Sequence, residues 1–213
     1  MRQISKAEAT RQKILETGHA LVLQKGFVGV GLQEVLKASG VPKGSFYYYF
    51  PSKEAFGCAL LQQYVEGYLA LMDQLLAADL PDGRTRLMRY WGAWLAGAED
   101  PARGWAEDCL VVKLAAEVAD LSEDMRQVLS EGTEALIARI AQMIEEARAD
   151  GSLPLGGAPA SGLAQMLYQM WLGAALLSKL SRDRAPMRQA YEATLALLVC
   201  SGNSKTHTDP QED

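Results

Sequence analysis

Apolar residues recur along most of the chain at spacings of three and four, which is typical of amphipathic α-helices. In the first such segment, Ala9–Lys25, the apolar face includes Ile14, Leu15 and Val22, and Gly26 follows as the expected left-handed cap. Three further N-terminal helices are predicted: Leu32–Ser39, Lys43 to about Phe50, and a fourth that Ser52 caps and that continues into the seventies.

The rest of the chain repeats the helical pattern and contains no alternation of the kind that predicts strands. Five more helices are predicted: Arg84–Gly97, Asp108–Asp120, Ser122–Asp150, Ser161–Ser181 and Ala185–Cys200. From residue 201 onward the residues are small, polar and acidic, so we expect a disordered tail at 201–213. The predicted fold class is therefore all-α.

Charge separates the N-terminal region from the remainder. Residues 1–53 hold 8 Lys/Arg and 3 Asp/Glu, a net charge of +5, whereas residues 54–213 hold 13 and 23, a net charge of −10. This asymmetry indicates a basic N-terminal module that binds a polyanion. The acidic remainder of the chain is not suited to bind one. We expect a domain boundary at this switch, with an N-terminal helix-turn-helix domain at 1–53 and a larger regulatory and dimerisation domain at 54–200.

The cysteines argue against a metal centre. Cys58, Cys109 and Cys200 show no CxxC spacing and no paired histidine, so we expect neither a metal nor another cofactor. An odd number of cysteines and an N-terminus without an apolar secretory core favour the reducing cytoplasm. The most apolar stretch, residues 166–177, is too short to span a membrane.

The segment Leu32–Lys53 carries the motif that predicts the function. Two short helices joined through Gly40-Val41-Pro42 form a helix-turn-helix, a motif whose second helix enters the major groove of DNA. At about 100° per residue, Phe46 and Phe50 share the face that packs on the first two helices. We therefore expect double-stranded DNA as a partner.

The opposite face of the second helix is suited to nucleic acid. Gly44 and Tyr48 point away from the predicted core, Ser45 lies towards the same side, and Lys43 and Lys53 are close in sequence. Hydroxyls and ammonium groups bind phosphates and read base edges, and such contacts release counterions. Binding should therefore weaken steeply as the salt concentration rises.

Residues 9–56 resemble the DNA-binding region of the TetR family of transcriptional repressors. The shared signature is a Gly-Val turn, a small hydroxyl residue, an aromatic cluster and a Ser-Lys pair, here Gly40-Val41, Ser45, residues 46–50 and Ser52-Lys53. By this resemblance the DNA contacts are expected at Gln33, Lys43, Gly44, Ser45, Tyr47, Tyr48, Tyr49 and Lys53. Gly31 departs from the pattern, since many members place there a Thr or Ser that touches phosphate. That contact must come from the backbone or be missing.

The same resemblance implies that the C-terminal helices bind a small ligand and pair two subunits. Apolar positions recur at helical spacing in Ser122–Asp150 and Ser161–Ser181, so two such helices from each subunit can form a four-helix interface. Gly173 and Ala174 would permit a close approach. A homodimer fits paired half-sites on DNA. The alternative is an ordinary core within one chain, and periodicity does not separate the two.

The C-terminal region also contains a candidate sensor. Aromatic walls of a pocket, or simply core residues, are expected at Tyr90, Trp91, Trp94, Trp105, Tyr168 and Trp171. Cys109 follows Glu107-Asp108, which we expect to cap the helix that Cys109 opens. A thiol at a helix N-terminus feels the positive end of the dipole, which favours thiolate, whereas the adjacent acids oppose it. Lys113 lies four residues on, and Lys179 is a second candidate neighbour.

Three blocks narrow the resemblance to the NemR-type branch of the TetR repressors: residues 44–57, 109–126 and 168–182. Members of that branch sense reactive electrophiles and oxidants through a cysteine, and they control flavin-dependent reductases and aldehyde-detoxifying enzymes. Cys109 matches the sensing cysteine in its surrounding sequence, and Lys179 matches a lysine of the later block. The resemblance implies that modification of Cys109 by a small electrophile or oxidant releases the repressor from its operator.

Three other functions are alternatives to this one. The first is a TetR-type repressor that a reversibly bound apolar ligand induces, with Cys109 as a small buried hydrophobe. The second is an all-helical thiol enzyme. The sequence shows no Cys–His pair, no phosphate-binding glycine loop and no Ser-His-Asp set, which argues against an enzyme. No catalytic residues are therefore expected. The third is a purely structural dimer, which leaves the basic N-terminal module unexplained.

Overall fold

The computed structural model describes residues 5–77, 80–96 and 104–200, with side chains described as far as Leu198. In these ranges every regular element is an α-helix, which confirms the predicted fold class. The helices are α1 Lys6–Lys25, α2 Leu32–Ser39, α3 Lys43–Tyr49, α4 Lys53–Leu76, α5 Gly83–Leu95, α6 Leu110–Leu121, α7 Glu123–Ala149, α8 Ala160–Ser181 and α9 Ala185–Cys200. The predicted tail at 201–213 lies outside the described residues.

Helix ends differ from the predicted ones where a capping group was misassigned. α1 begins three residues earlier than predicted because the hydroxyl of Ser5 accepts a hydrogen bond from Glu8 N at 3.1 Å. α6 begins at Leu110 rather than at Asp108, and Cys109 itself occupies the N-cap position without a side-chain cap. The predicted cap by Glu107-Asp108 was therefore wrong, since both residues lie in the preceding turn.

One compact unit comprises the chain up to residue 74 together with residues 106–136. It contains α1 to α3, most of α4, α6 and the first half of α7. Its core is a continuous apolar cluster, and these members are each at most 3% exposed: Ile14, Leu15, Val22, Phe27, Phe46, Phe50, Phe56, Leu60, Leu61, Leu114, Val118 and Met125. The helices α1 to α3, called here the three-helix segment, therefore share their core with α4, α6 and α7.

The second unit comprises residues 75–105 and the chain from residue 137 onward. Its centre is aromatic: Trp91 and Trp171 are fully buried and stack with their ring centroids 4.8 Å apart. The indole Nε1 of Trp171 donates to the hydroxyl of Thr194 on α9 at 2.9 Å. α9 packs against both α5 and α8, so this unit is built around three helices that share one aromatic core.

The N-terminus of α4 offers a direct test of local stability. Ser52 Oγ accepts a hydrogen bond from Ala55 N at 2.9 Å, as the sequence predicts for a cap. Ser52→Ala is expected to lower the free energy of unfolding by about 1 kcal/mol, because the N–H loses its acceptor. Urea denaturation measures it, with Ser161→Ala on an exposed part of α8 as the control. Equal effects of the two substitutions would contradict the assigned cap.

Candidate functional site

The turn between α2 and α3 has the geometry of a helix-turn-helix. α2 ends at Gly40, whose φ of +66° and ψ of +25° lie in the left-handed region that favours glycine. The N–H groups of Gly40 and Val41 both donate to Leu36 O, and Pro42 then starts α3. The backbone therefore turns sharply within three residues, as the sequence predicts.

One face of α3 is buried against the neighbouring helices, and the opposite face is exposed. Phe46 is fully buried and Phe50 is 2% exposed, and both rings pack on Phe56 of α4 at centroid distances of 5.5 and 5.3 Å. On the other side, Tyr48 is 79% exposed and Tyr47 is 45% exposed. The predicted burial of Phe46 and Phe50 and the predicted outward position of Tyr48 are thus confirmed.

The residues predicted to touch DNA are mostly accessible. Gln33, Lys43 and Gly44 are exposed, and Ser45 and Tyr49 are half-buried. The ammonium of Lys43 lies 5.9 Å from the ring centroid of Tyr47, so that a positive charge is fixed beside the tyrosine face. Gly31, the N-cap of α2, has no side chain that caps the helix, so a phosphate contact there would have to come from the backbone.

Lys53 differs from the other predicted contacts. Its Nζ donates to Phe27 O at 3.0 Å and lies 4.8 Å from the centroid of the Phe27 ring. Part of its hydrogen-bonding capacity is therefore used inside the protein. Sequence reasoning overlooked Lys13 on α1, whose Nζ would lie 3.9 Å from a Cβ placed on Gly40. No spacing rule links a residue of α1 to that turn, so only the fold reveals this positive charge.

Cys109 is buried and has an aromatic neighbour. The residue is 2% exposed, and its Sγ lies 3.7 Å from the hydroxyl of Tyr64 on α4, within hydrogen-bonding distance for sulfur. The ring of His19 on α1 stacks on Tyr64 with a centroid distance of 6.2 Å. Burial lowers the pKa of His19, and the charge of Asp108 acts in the opposite direction. The thiol is thus linked through one tyrosine to the first helix of the three-helix segment.

The same face of α6 contacts the three-helix segment at two further residues. Lys113 does lie one turn after Cys109, and its Nζ donates to Gln24 O at the end of α1, 3.5 Å away. One turn further, the carboxylate of Glu117 accepts from the backbone N–H groups of Phe27 and Val28. Tyr64 and Glu117 were both missed from the sequence, because neither belongs to a motif and their partners are 45 and about 90 residues away.

Cys58 lies in an environment that disfavours its thiolate. Cys58 is half-buried, and its pKa is raised first by burial and then by the negative charges of Asp124 and Glu54. The thiolate is the nucleophilic form, so this environment makes Cys58 a weak nucleophile. The side chain of Cys200 lies outside the described residues.

The predicted sensor residues fall into two groups. Cys109 and Lys113 belong to the first unit, whereas Trp105, Tyr168, Trp171 and Lys179 belong to the second. Tyr168 and Trp171 are core residues of the aromatic cluster, Trp105 packs edge-on against Tyr90 at 6.0 Å, and Lys179 is exposed near the end of α8. In the same cluster the buried Nε1 atoms of Trp91 and Trp94 have no acceptor in the described part of the chain.

The two helices predicted to pair subunits, α7 and α8, differ in how much of their apolar surface is exposed. On α7 most of the large apolar side chains are buried within the single chain, at 5% exposure or less, whereas Val128 and Ile137 are half-buried. This burial favours the alternative, an intrachain core, for that face of α7, and pairing of subunits through α7 stays a prediction. α8 buries Leu167 and Trp171 and has a second apolar stripe at spacings of four and three. In this stripe Met166, Gly173, Leu177 and Leu180 are exposed and Met170 is half-buried.

No helix in the described ranges is long and apolar enough to cross a membrane. Nor do the described His, Cys, Asp and Glu side chains form a group of three or more that is arranged to hold a metal ion.

Two family profiles match the chain. The profile of the bacterial regulatory proteins of the tetR family matches residues 14–56, which contain α2, α3 and the start of α4. The profile of a tetracyclin repressor-like C-terminal domain matches residues 83–194, which contain α5 to α8 and most of α9. Together they span both halves of the fold.

Individual relatives are similar over most of their length. The HTH-type transcriptional repressor NemR of Escherichia coli K12 is 44% identical over 181 residues, 85% of this chain and 89% of NemR. The transcriptional regulator AcuR of Cereibacter sphaeroides is 36% identical over 184 residues, 85% of this chain and 81% of AcuR. The crystal structure of reduced E. coli NemR superposes with a TM-score of 0.79 at 41% identity, covering 89% of this chain and 96% of that one.

Proposed function

The chain belongs to the TetR family and is a NemR-like transcriptional repressor, not an enzyme, and we propose that covalent modification of Cys109 by electrophiles or oxidants releases it from its operator. The observation that carries this proposal is the position of Cys109. Cys109 is the N-cap of α6. Two residues of the same helix, Lys113 and Glu117, contact the end of α1 and the loop that leads into the helix-turn-helix. Such a repressor acts in the cytoplasm, where the thiol stays reduced.

The chemistry requires only the thiol and the reagent. With a quinone, Sγ bonds to a ring carbon, the thiol proton ends on one quinone oxygen, and the hydrogen of the attacked carbon moves to the other oxygen. The product is a hydroquinone thioether. With hypochlorous acid, the thiolate displaces hydroxide from chlorine, and hydrolysis of the sulfenyl chloride gives sulfenic acid and chloride.

Burial turns either modification into a packing change. Cys109 is 2% exposed and in contact with Tyr64, so an added ring or oxygen has no space unless Tyr64 or α6 moves. A small movement at a packed contact favours an alternative arrangement of the whole element, since packed interfaces have few intermediate states. The proposed result is that the reading helices lose their spacing on DNA and the operator is released.

The direct test measures operator binding with and without a quinone. DNA upstream of the chain's own gene serves as probe in a gel shift, and 1,4-benzoquinone is added to the reduced protein at a stoichiometric amount. We expect the apparent dissociation constant to rise about 10- to 100-fold, the usual range of allosteric coupling. Unchanged binding by a protein that carries the adduct would refute the proposal.

Binding to DNA is proposed to use the outward face of α3. Lys43→Ala is expected to weaken operator binding and to lower the slope of log K against log salt concentration by about 1, because one phosphate contact is lost. Fluorescence anisotropy at four salt concentrations measures the slope. Arg89→Ala, which removes the same charge from an exposed position on α5, is the control and should leave the slope unchanged. Identical slopes for both variants would mean that Lys43 does not touch DNA.

A second candidate mechanism is favoured by one observation in the aromatic cluster. The buried N–H groups of Trp91 and Trp94 have no acceptor in the described part of the chain, and a reversibly bound ligand with a carbonyl oxygen would supply one. Tetramethyl-1,4-benzoquinone separates the mechanisms, because its ring carbons all carry methyl groups and resist thiol addition. Operator release by this compound, together with quenching of tryptophan fluorescence, would favour reversible induction over thiol chemistry.

A further inference from the structure

Glu117 holds the loop that enters the helix-turn-helix by its backbone. Its Oε2 accepts from Phe27 N at 3.2 Å, and its Oε1 accepts from Val28 N. Gly26, with a φ of +78°, permits this approach, because a Cβ there would lie only 2.8 Å from Glu117 Oε2. One carboxylate thus binds two successive N–H groups of the connection between α1 and α2.

The contact belongs to a row on α6 that begins at Cys109. Cys109, Lys113 and Glu117 are spaced by four residues and therefore share one face of the helix. Each reaches the first helices: Cys109 through Tyr64 and His19, Lys113 through Gln24 O, and Glu117 through the loop itself. The carboxylate of Glu117 accepts from N–H groups and the ammonium of Lys113 donates to a carbonyl, so both contacts are charge-assisted hydrogen bonds.

The loop is held from one side and open on another. A half-open cavity of about 330 Å³ lies beside it, lined by residues that include Phe27, Val28, Lys53 and Leu121. Val28 is 63% exposed and Leu121 is 48% exposed. The loop therefore has space to move if the carboxylate of Glu117 is withdrawn, and α2 begins only four residues after Val28.

We propose that Glu117 is a positioning residue that transmits the state of Cys109 to the helix-turn-helix. An adduct at Cys109 shifts α6, and the carboxylate then leaves the N–H groups of Phe27 and Val28. α2 and α3 then lose one of the contacts that set their orientation. This inference rests on the proposed function, because it assigns the route by which modification of Cys109 reaches DNA.

The test follows the two amide protons directly. Hydrogen exchange of Phe27 and Val28 is measured by NMR in the full-length wild type, in Glu117→Gln and in Asp120→Asn, each before and after addition of 1,4-benzoquinone. Asp120 is an exposed acid on the same helix, so its variant controls for the loss of one charge. In the unmodified proteins we expect Glu117→Gln to speed exchange at these amides by about tenfold and Asp120→Asn to leave it unchanged.

The decisive result is that the adduct in wild type speeds exchange at the same two amides, and adds nothing further in Glu117→Gln. Operator release by the quinone should also shrink in Glu117→Gln but not in Asp120→Asn. A merely structural role of Glu117 predicts weaker binding with an unchanged ratio of affinities before and after modification. That ratio, rather than affinity itself, is the readout that separates the two roles.

Failure of this inference is distinguishable from failure of the proposed function. If wild type releases DNA on modification while exchange at Phe27 and Val28 is unchanged, the link through Glu117 is wrong and the thiol switch stands. If exchange increases while DNA stays bound, the link holds and the thiol switch fails. Cys109→Phe places a ring at the same position without any covalent reaction, so it tests the link through Glu117 even if no adduct forms. Circular dichroism first establishes that this variant is folded. Unchanged hydrogen exchange at Phe27 and Val28 in the folded variant would overturn the link.

Discussion

Replacing Cys109 by serine is expected to leave operator binding of the untreated repressor within about twofold of wild type and to remove the response to quinones. Serine is nearly isosteric with cysteine, and its hydroxyl oxygen can accept the hydrogen bond that the Tyr64 hydroxyl donates to Cys109 Sγ at 3.7 Å. The packing around α6 should therefore survive, whereas the nucleophile is lost. Fluorescence anisotropy with operator DNA, before and after 1,4-benzoquinone, measures both quantities.

The control for this experiment is the reverse set of substitutions. A protein with Cys58→Ser and Cys200→Ser retains only Cys109 and should release DNA as wild type does. Intact-mass spectrometry establishes that a single adduct forms on it. If Cys109→Ser still responds and the double variant does not, the sensing thiol is Cys58 or Cys200. If none of the thiols matters, induction proceeds by reversible binding.

The local features of the DNA-binding segment were predictable because they depend on short-range chemistry. Gly40 is required by a left-handed backbone conformation at the turn, and the spacing of Phe46 and Phe50 fixes which face of α3 is buried. These constraints act within a few residues, so a single sequence contains them. The predicted exposure of Tyr48 follows from the same helical geometry.

The surroundings of Cys109 were only partly predictable, because they depend on contacts between distant parts of the chain. The sequence places a thiol at the start of a helix, but the N-cap proved to be Cys109 itself, and an acid one residue earlier was mistaken for it. Lys113 lies one turn after the thiol, as predicted, but the contact of its ammonium with Gln24 O has no signal in the sequence. Tyr64 and Glu117 carry no signal in a single sequence, since helical periodicity does not say which helices meet.

The same limit applies to the helices that were expected to pair subunits. Periodicity shows that α7 and α8 have apolar faces, but it does not show how many such faces other elements of the same chain cover. α7 is covered within one chain, whereas α8 has two apolar faces, of which only the one with Leu167 and Trp171 is buried. The stripe from Met166 to Leu180 therefore remains as the proposed contact with a second copy of the chain.

Replacing Leu177 by glutamate is expected to convert the proposed homodimer into a monomer. Leu177 is 55% exposed in the single chain and lies within the stripe, one turn after Gly173. Pairing two stripes would place the two new carboxylates in an apolar interface, where an unpaired charge is strongly unfavourable. Sedimentation equilibrium at micromolar concentration measures the change in mass.

Loss of the dimer should weaken operator binding far more than any single contact on α3 does. A dimer binds its second half-site as an intramolecular event, which raises the overall affinity by roughly 10²- to 10⁴-fold, and a monomer forgoes that gain. Leu155→Glu is the matched control, because Leu155 is 83% exposed in the same unit but lies outside the stripe. Leu155→Glu should unfold at the same urea concentration as wild type, and Leu177→Glu should unfold earlier only by the stability that association of the two subunits supplies. A dimeric Leu177→Glu protein with normal DNA binding would show that the subunits pair through another surface.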